Sequence, residues 1–140
     1  MTVCIDSNVV LGMFITDHPH RPIHDAWFDG KFEWVVSNEI MLEYEEVVQR
    51  QAGQARAGKM LQIMELVGRL RGNVRRVSPT FRFAVIRDDP DDNKFVDAAI
   101  VANASYVITS DKHFRELGTS GYAMTAISPQ DFIREVLPHL

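Results

Sequence analysis

A single cysteine, Cys4, occurs in the 140 residues, so no disulfide can close within the chain and a cysteine-based zinc site is excluded. A lone thiol in an apolar run fits a reducing compartment. No apolar stretch approaches the ~20 residues that a membrane-spanning helix needs. The start, MTVCIDSN, has no basic segment ahead of an apolar one, so no signal peptide is expected. Together these absences predict a cytoplasmic protein without a membrane partner. Repeats and low-complexity tracts are also missing. Hydrophobic residues make up 46% and charged residues 24%, which is globular rather than disordered composition. The length suits one domain spanning residues 1–140.

Acids are nearly absent from one stretch. Between Arg50 and Arg87 nine basic residues stand against Glu65 alone, a local charge of +8. The net charge is −4, so the rest of the chain carries −12. Asp88, Asp89, Asp91 and Asp92 follow at once. A basic block beside an acidic one points to a phosphate-bearing partner and a place for divalent cations. The plain alternative is a solvated helix face followed by an acidic loop.

Short apolar runs alternate with helical periodicity. Strands are predicted at Thr2–Ile5, Glu33–Val36, Val74–Val77, Tyr106–Thr109 and Met124–Ile127, with a further extended piece at Phe83–Ile86. Helices are predicted at Val9–Ile15 and Ile23–Phe28. Another follows a Ser37 or Asn38 cap, with Ile40, Tyr44, Val47 and Val48 as its stripe. Lys59–Leu70 has Met60, Ile63, Met64, Val67 and Leu70 on one face. A helix capped by Asp91 or Asp92 runs to about Ala104, with Phe95, Ala98, Ala99 and Ala102 inward. Ser128-Pro129 opens the last helix. The alternation predicts an α/β fold with a mostly parallel sheet.

In such a sheet, sites form beyond the carboxyl ends of the strands. Asp6 follows the first strand and Asp111 follows a later one, while Asp92 opens the helix between. At about 100° per residue, Glu43 falls nearest the apolar stripe of its helix. Glu39 and Glu46 fall further round, and Glu45 lies on the far side. Asp97 lies nearly opposite Phe95 on its own helix and so ranks below Asp92. Each acid has a structural alternative as a cap or turn residue. Converging, the four would repel unless a cation neutralised them. Oxygen-only ligands without a Cys or His cluster favour Mg²⁺ or Mn²⁺ over Zn²⁺. His18, His20 and His24 are close in sequence, but a Pro-bounded exposed loop is the better account of them.

With IDSNV after the first strand, an EIMLEYEEVV helix, DDPDDNKFVDAAIVANA and then YVITSDKHF, the chain resembles the PIN-domain nucleases, most closely their toxin-like branch from toxin–antitoxin pairs. The likeness covers essentially the whole chain. It implies a three-layer α/β/α sandwich and a metal-dependent ribonuclease whose acids fall on Asp6, Glu43, Asp92 and Asp111. Asp91 or Asp97 are the alternatives for the third acid. Asn8 matches the family's Asp-x-Asn start and Thr109 its hydroxyl before the last acid; both would hold ligands or water around the metal. The expected reaction is hydrolysis of RNA phosphodiester bonds with one or two Mg²⁺ or Mn²⁺ ions. Arg50, Arg75 and Arg76 would hold phosphates without reading bases. A toxin of this kind implies a homodimer and a cognate antitoxin. Two other classes fit less well. A nuclease-like scaffold would not need the acid set. A phosphatase using Asp6 as nucleophile would want a second Asp where Asn8 stands.

Overall fold

A computed structural model describes residues 1–80, 82–83, 93–112, 114 and 123–140. Asp91 and Asp92, most of the extended piece expected at Phe83–Ile86, and Arg87 lie outside the described residues. The sheet has five strands: β1 (Thr2–Ile5), β2 (Glu33–Val36), β3 (Val74–Arg76), β4 (Tyr106–Ile108) and β5 (Thr125–Ile127). Their order is β3-β2-β1-β4-β5, and all four pairings are parallel. Parallel neighbours need crossovers, and helices supply them. Six α-helices are described: α1 (Ser7–Met13), α2 (Arg21–Phe28), α3 (Asn38–Ala52), α4 (Gln54–Arg71), α5 (Asn93–Val101) and α6 (Pro129–Asp131), which runs on through a wide turn at Phe132–Val136 to a tight one at Leu137–His139.

Successive strand residues point to opposite faces, yet Val3, Cys4, Ile5, Trp34, Val35 and Val36 are all fully buried. Both faces of the central strands are therefore covered, as the expected three layers require. The elements form where the sequence predicted them, with shifts at their ends. The Ser37 hydroxyl accepts from the Ile40 N–H at 3.2 Å and caps α3. Ser128 does the same for Asp131 at 3.1 Å. Helix α4 begins five residues before Lys59 because Gly53 (φ 94°) breaks it from α3, and it stops at Gly72, which is left-handed at φ 66°. Its inward face is Ala57, Met60, Met64 and Val67; Leu70, expected inside, is 77% exposed. At about 100° per residue, Leu70 lies roughly 100° round the helix from the centre of that inward face, on its exposed flank.

A second departure concerns α5. Its face was expected to be Phe95, Ala98, Ala99 and Ala102, but Val96 and Asp97 are buried too. The chain leaving β3 explains it. Val77, Ser78, Pro79 and Arg82 border a small cavity beside Asp97, and the Phe83 N–H donates to Asp97 Oδ1 at 3.1 Å. A helix wheel cannot register a loop that packs on its outer side.

Candidate active site

The sheet order changes direction at β1: the chain steps outward to β2 and β3, then returns to β4 and β5 on the other side. A crevice opens at such a point, beyond the carboxyl ends of β1 and β4. Asp6 leaves β1 there, its N–H donating to the Ile108 carbonyl at 2.9 Å. It occupies the N-cap position of α1, yet its side chain makes no capping bond. The carboxylate turns instead toward β4, where the Thr109 hydroxyl donates to Oδ2 at 2.7 Å. The same hydroxyl oxygen accepts the Asp111 N–H at 2.9 Å. Thr109 thus ties the two strand-end acids into one local frame.

Glu43 enters from α3. Tyr44, fully buried beside it, donates its hydroxyl to the Ile5 carbonyl and accepts from Trp34 Nε1 at 3.3 Å. This clamp fixes α3 against the end of β1 and brings Glu43 to the crevice. Glu43 Oε2 accepts the Ser7 hydroxyl at 2.7 Å, and Oε1 accepts Lys94 Nζ at 2.6 Å. Glu39, Glu45 and Glu46 are exposed while Glu43 is half-buried, in keeping with the helix-wheel ranking.

Electrostatics ties the acids together further. Asp6 is 4% exposed, and its pKa is raised to about 6. Burial is the main cause, since a charged carboxylate loses hydration there. The Thr109 hydroxyl and the Ser7 N–H oppose the shift; the nearby charges of Glu43 and Asp111 add to it. Burial likewise raises the Cys4 thiol, which donates to the Phe95 carbonyl at 3.5 Å and takes no part in the site.

Among the described residues no group of three or more Asp, Glu, His or Cys side chains is close enough to hold an ion as they stand. The donor chemistry nevertheless suits a hard divalent cation: Asp6, Glu43 and Asp111 supply carboxylates, Ser7 and Thr109 hydroxyls, with no thiol or imidazole among them. A buried carboxylate flanked by two others also carries a charge excess that a cation would relieve.

Asp92 lies outside the described residues. Asn8 is exposed in the first turn of α1, and no hydrogen bond joins it to the carboxylates among the described residues. Arg76 is exposed at the carboxyl end of β3, the same end as Asp6. Arg75 points the other way: its side chain donates to the Ala102 carbonyl at 3.1 Å and approaches Glu33 at 3.9 Å, toward the opposite end of the sheet. Alternation along the strand sends neighbouring arginines apart. Arg50, exposed on α3, lies 3.8 Å from Glu46. Among the described residues His18, His20 and His24 form no ion-binding group; His18 lies against Gly12, where a Cβ would stand 2.3 Å from the ring, and His24 packs on Phe14, Trp27 and Phe28. Sequence reasoning missed the roles of Ser7 and Lys94. Lys94 carried one signal: a cation in the first turn of a helix opposes the helix dipole and calls for another reason.

Comparison with known proteins agrees with this fold. The family model of the PIN domain matches residues 2–113, and the chain belongs to that family. No curated protein matches it in sequence. Among solved structures, one similar chain comes from VapBC2 of Rickettsia felis, a structure bound to a DNA fragment from its promoter. It has a TM-score of 0.60 at 15% identity and covers 91% of this chain and 98% of that one. Another is VapC20 of Mycobacterium tuberculosis, a sarcin–ricin loop cleaving toxin, with a TM-score of 0.58 at 13% identity, covering 88% and 98%. At these identities the likeness is one of fold. No described helix is long and apolar enough to cross a membrane.

Proposed function

We propose that this PIN domain is a Mg²⁺- or Mn²⁺-dependent endoribonuclease acting as the toxin of a toxin–antitoxin pair. The observation that carries the proposal is the coupling of Asp6, Glu43 and Asp111 at the point where the sheet order reverses. They come from three different elements, and Ser7 and Thr109 hold two of them. Asp6, Glu43 and Asp111 would hold the ion, with Asp92 as the fourth acid. The ion, when bound, supplies an activated water and neutralises charge developing on the phosphate. Ser7 keeps Glu43 aimed at the crevice, and Thr109 does so for Asp6. Burial of Asp6 excludes competing water from one side of the site. Arg76, at the carboxyl end of β3, and Arg82, in the chain that follows it, would hold backbone phosphates without selecting bases.

The toxin role draws on the two structural neighbours, one a VapBC2 assembly and one a toxin that cleaves the sarcin–ricin loop. It brings with it a cognate antitoxin and a homodimer. Leu66 and Leu70, exposed one helical turn apart on α4, support a partner surface.

The test is cleavage of a single-stranded RNA with MgCl₂ or MnCl₂, with EDTA, and beside a DNA of the same sequence. Cleavage of RNA that needs the metal is expected. Full cleavage in EDTA would remove the metal mechanism. Absence of cleavage by protein that demonstrably binds Mn²⁺ would leave a nuclease fold used as a scaffold.

A further inference from the structure

We infer that Lys94 is a built-in counter-cation that holds Glu43 in place and competes with the divalent ion for its carboxylate. The inference rests on the metal-site reading above but concerns a residue that the acid set does not include. Lys94 is the second residue of α5, and its Nζ lies 2.6 Å from Glu43 Oε1. The two side chains are only 20% and 22% exposed, so the pair is not a surface contact swinging in solvent. Ser7 occupies the other oxygen of Glu43. Both carboxylate oxygens therefore carry a donor, and an ion seeking Oε1 must displace the ammonium or share the oxygen with it.

Three features suit Lys94 to such an exchange. Its charge reaches Glu39 as well as Glu43, one helical turn apart on α3, so it is set against the acidic face of that helix. Its side chain is a flexible stem with a single charged head, which can withdraw by rotation alone; an arginine would grip the carboxylate with a planar fork. Its position in the first turn of α5 is unfavourable for a cation. The contact with Glu43 offsets that cost.

The experiment titrates MnCl₂ alone, without RNA, into the full chain and into Lys94→Met, read by calorimetry and by the rise in melting temperature. Lys94→Met should bind Mn²⁺ about two- to fivefold more tightly, the range that a partly screened ion pair supplies. Its metal-free form should melt lower than the parent and gain more from the ion. Lys94→Arg keeps the charge and should bind Mn²⁺ no more tightly than the parent. In a Glu43→Gln background the gain from Lys94→Met should vanish, because the effect runs through that carboxylate. If the parent binds Mn²⁺ and Lys94→Met binds it equally or more weakly, the inference fails and the metal site stands. If neither binds the ion, the metal site fails and the inference with it. Should Lys94→Met not fold, an unchanged affinity in Lys94→Gln would overturn the competition equally well.

Discussion

Asp6 and Asp97 are both buried acids, and burial is the main reason that each has a raised pKa. Their surroundings differ. Asp6 Oδ2 takes a hydroxyl from Thr109, and its nearby charges are carboxylates from α3 and from the chain after β4. Asp97 Oδ1 takes the Phe83 N–H, while Oδ2 has no partner among the described residues. Its nearby charges are of mixed sign, Arg82 lowering and Glu39 raising its pKa. It faces a cavity of about 190 Å³ rather than a second strand-end acid. Burial alone therefore does not mark an ion site. What sets Asp6 apart is like charge brought in beside it from separate elements, with hydroxyls of Ser7 and Thr109 holding Glu43 and Asp6.

The largest effect that can break this comparison is on turnover. Asp6→Asn keeps the acceptor for Thr109 and removes one ligand charge. Loss of residues that merely orient metal ligands costs about 10–100-fold, so Asp6→Asn, Glu43→Gln and Asp111→Asn should each cost more than about a hundredfold. Combined, they should fall well short of the product of the single losses. Asp97→Asn should cost far less, measured as initial rates on one RNA at saturating Mg²⁺. An equal loss at Asp97 would move the third acid there and take that role from Asp92. Glu45→Gln, on the exposed side of α3, is the control and should leave the rate unchanged.

Next in size is stability against pH. The folded chain holds the Asp6 proton more tightly than the unfolded chain does, because the pKa rises from 3.8 to about 6. The penalty for ionising it in the fold is absent below about pH 4, grows through that interval, and is complete above about pH 6. Asp6→Asn should thus be more stable than the metal-free parent at pH 7, by about 1–3 kcal/mol. The difference should close toward pH 4, and saturating Mn²⁺ should close it at pH 7 by stabilising the parent. Asp97→Asn should show the same sign at pH 7 without Mn²⁺ affecting it. Urea denaturation across pH, with and without the ion, separates the two acids. A parent more stable than Asp6→Asn at pH 7 without metal would mean that Asp6 is a structural turn residue.

Much of this was legible in the sequence, and what was not has physical causes. The strands could be read because short apolar runs ended in Asp or Ser, and their carboxyl ends placed Asp6, Thr109 and Asp111 together in advance. Glu43 could be chosen over Glu45 because helical geometry is regular. The burial of Asp97 was not legible because the wheel treats a helix as having one buried side, whereas the chain after β3 packs on the other. Lys94 escaped notice because its partner lies 51 residues away, a separation that no local pattern encodes. Arg75 and Arg76 looked equivalent as a pair, yet the two-residue period of a strand had already divided them.

That division gives the smallest effect and the finest test. If the RNA backbone runs along the carboxyl ends of the strands, Arg76 meets it and Arg75 does not. Arg76→Glu should then reduce the slope of log Kd against log salt by about one, since fewer counterions are released. Its melting temperature should hardly move, because Arg76 is exposed. Arg75→Glu should behave in the opposite way. It removes the donor to the Ala102 carbonyl and sets a carboxylate near Glu33, 3.9 Å from the present guanidinium. The cost should be about 1 kcal/mol of stability with no change in salt slope. Equal slopes for Arg76→Glu and the parent would place the RNA elsewhere. A lowered slope in Arg75→Glu alone would instead carry the strand around the β3 edge of the sheet.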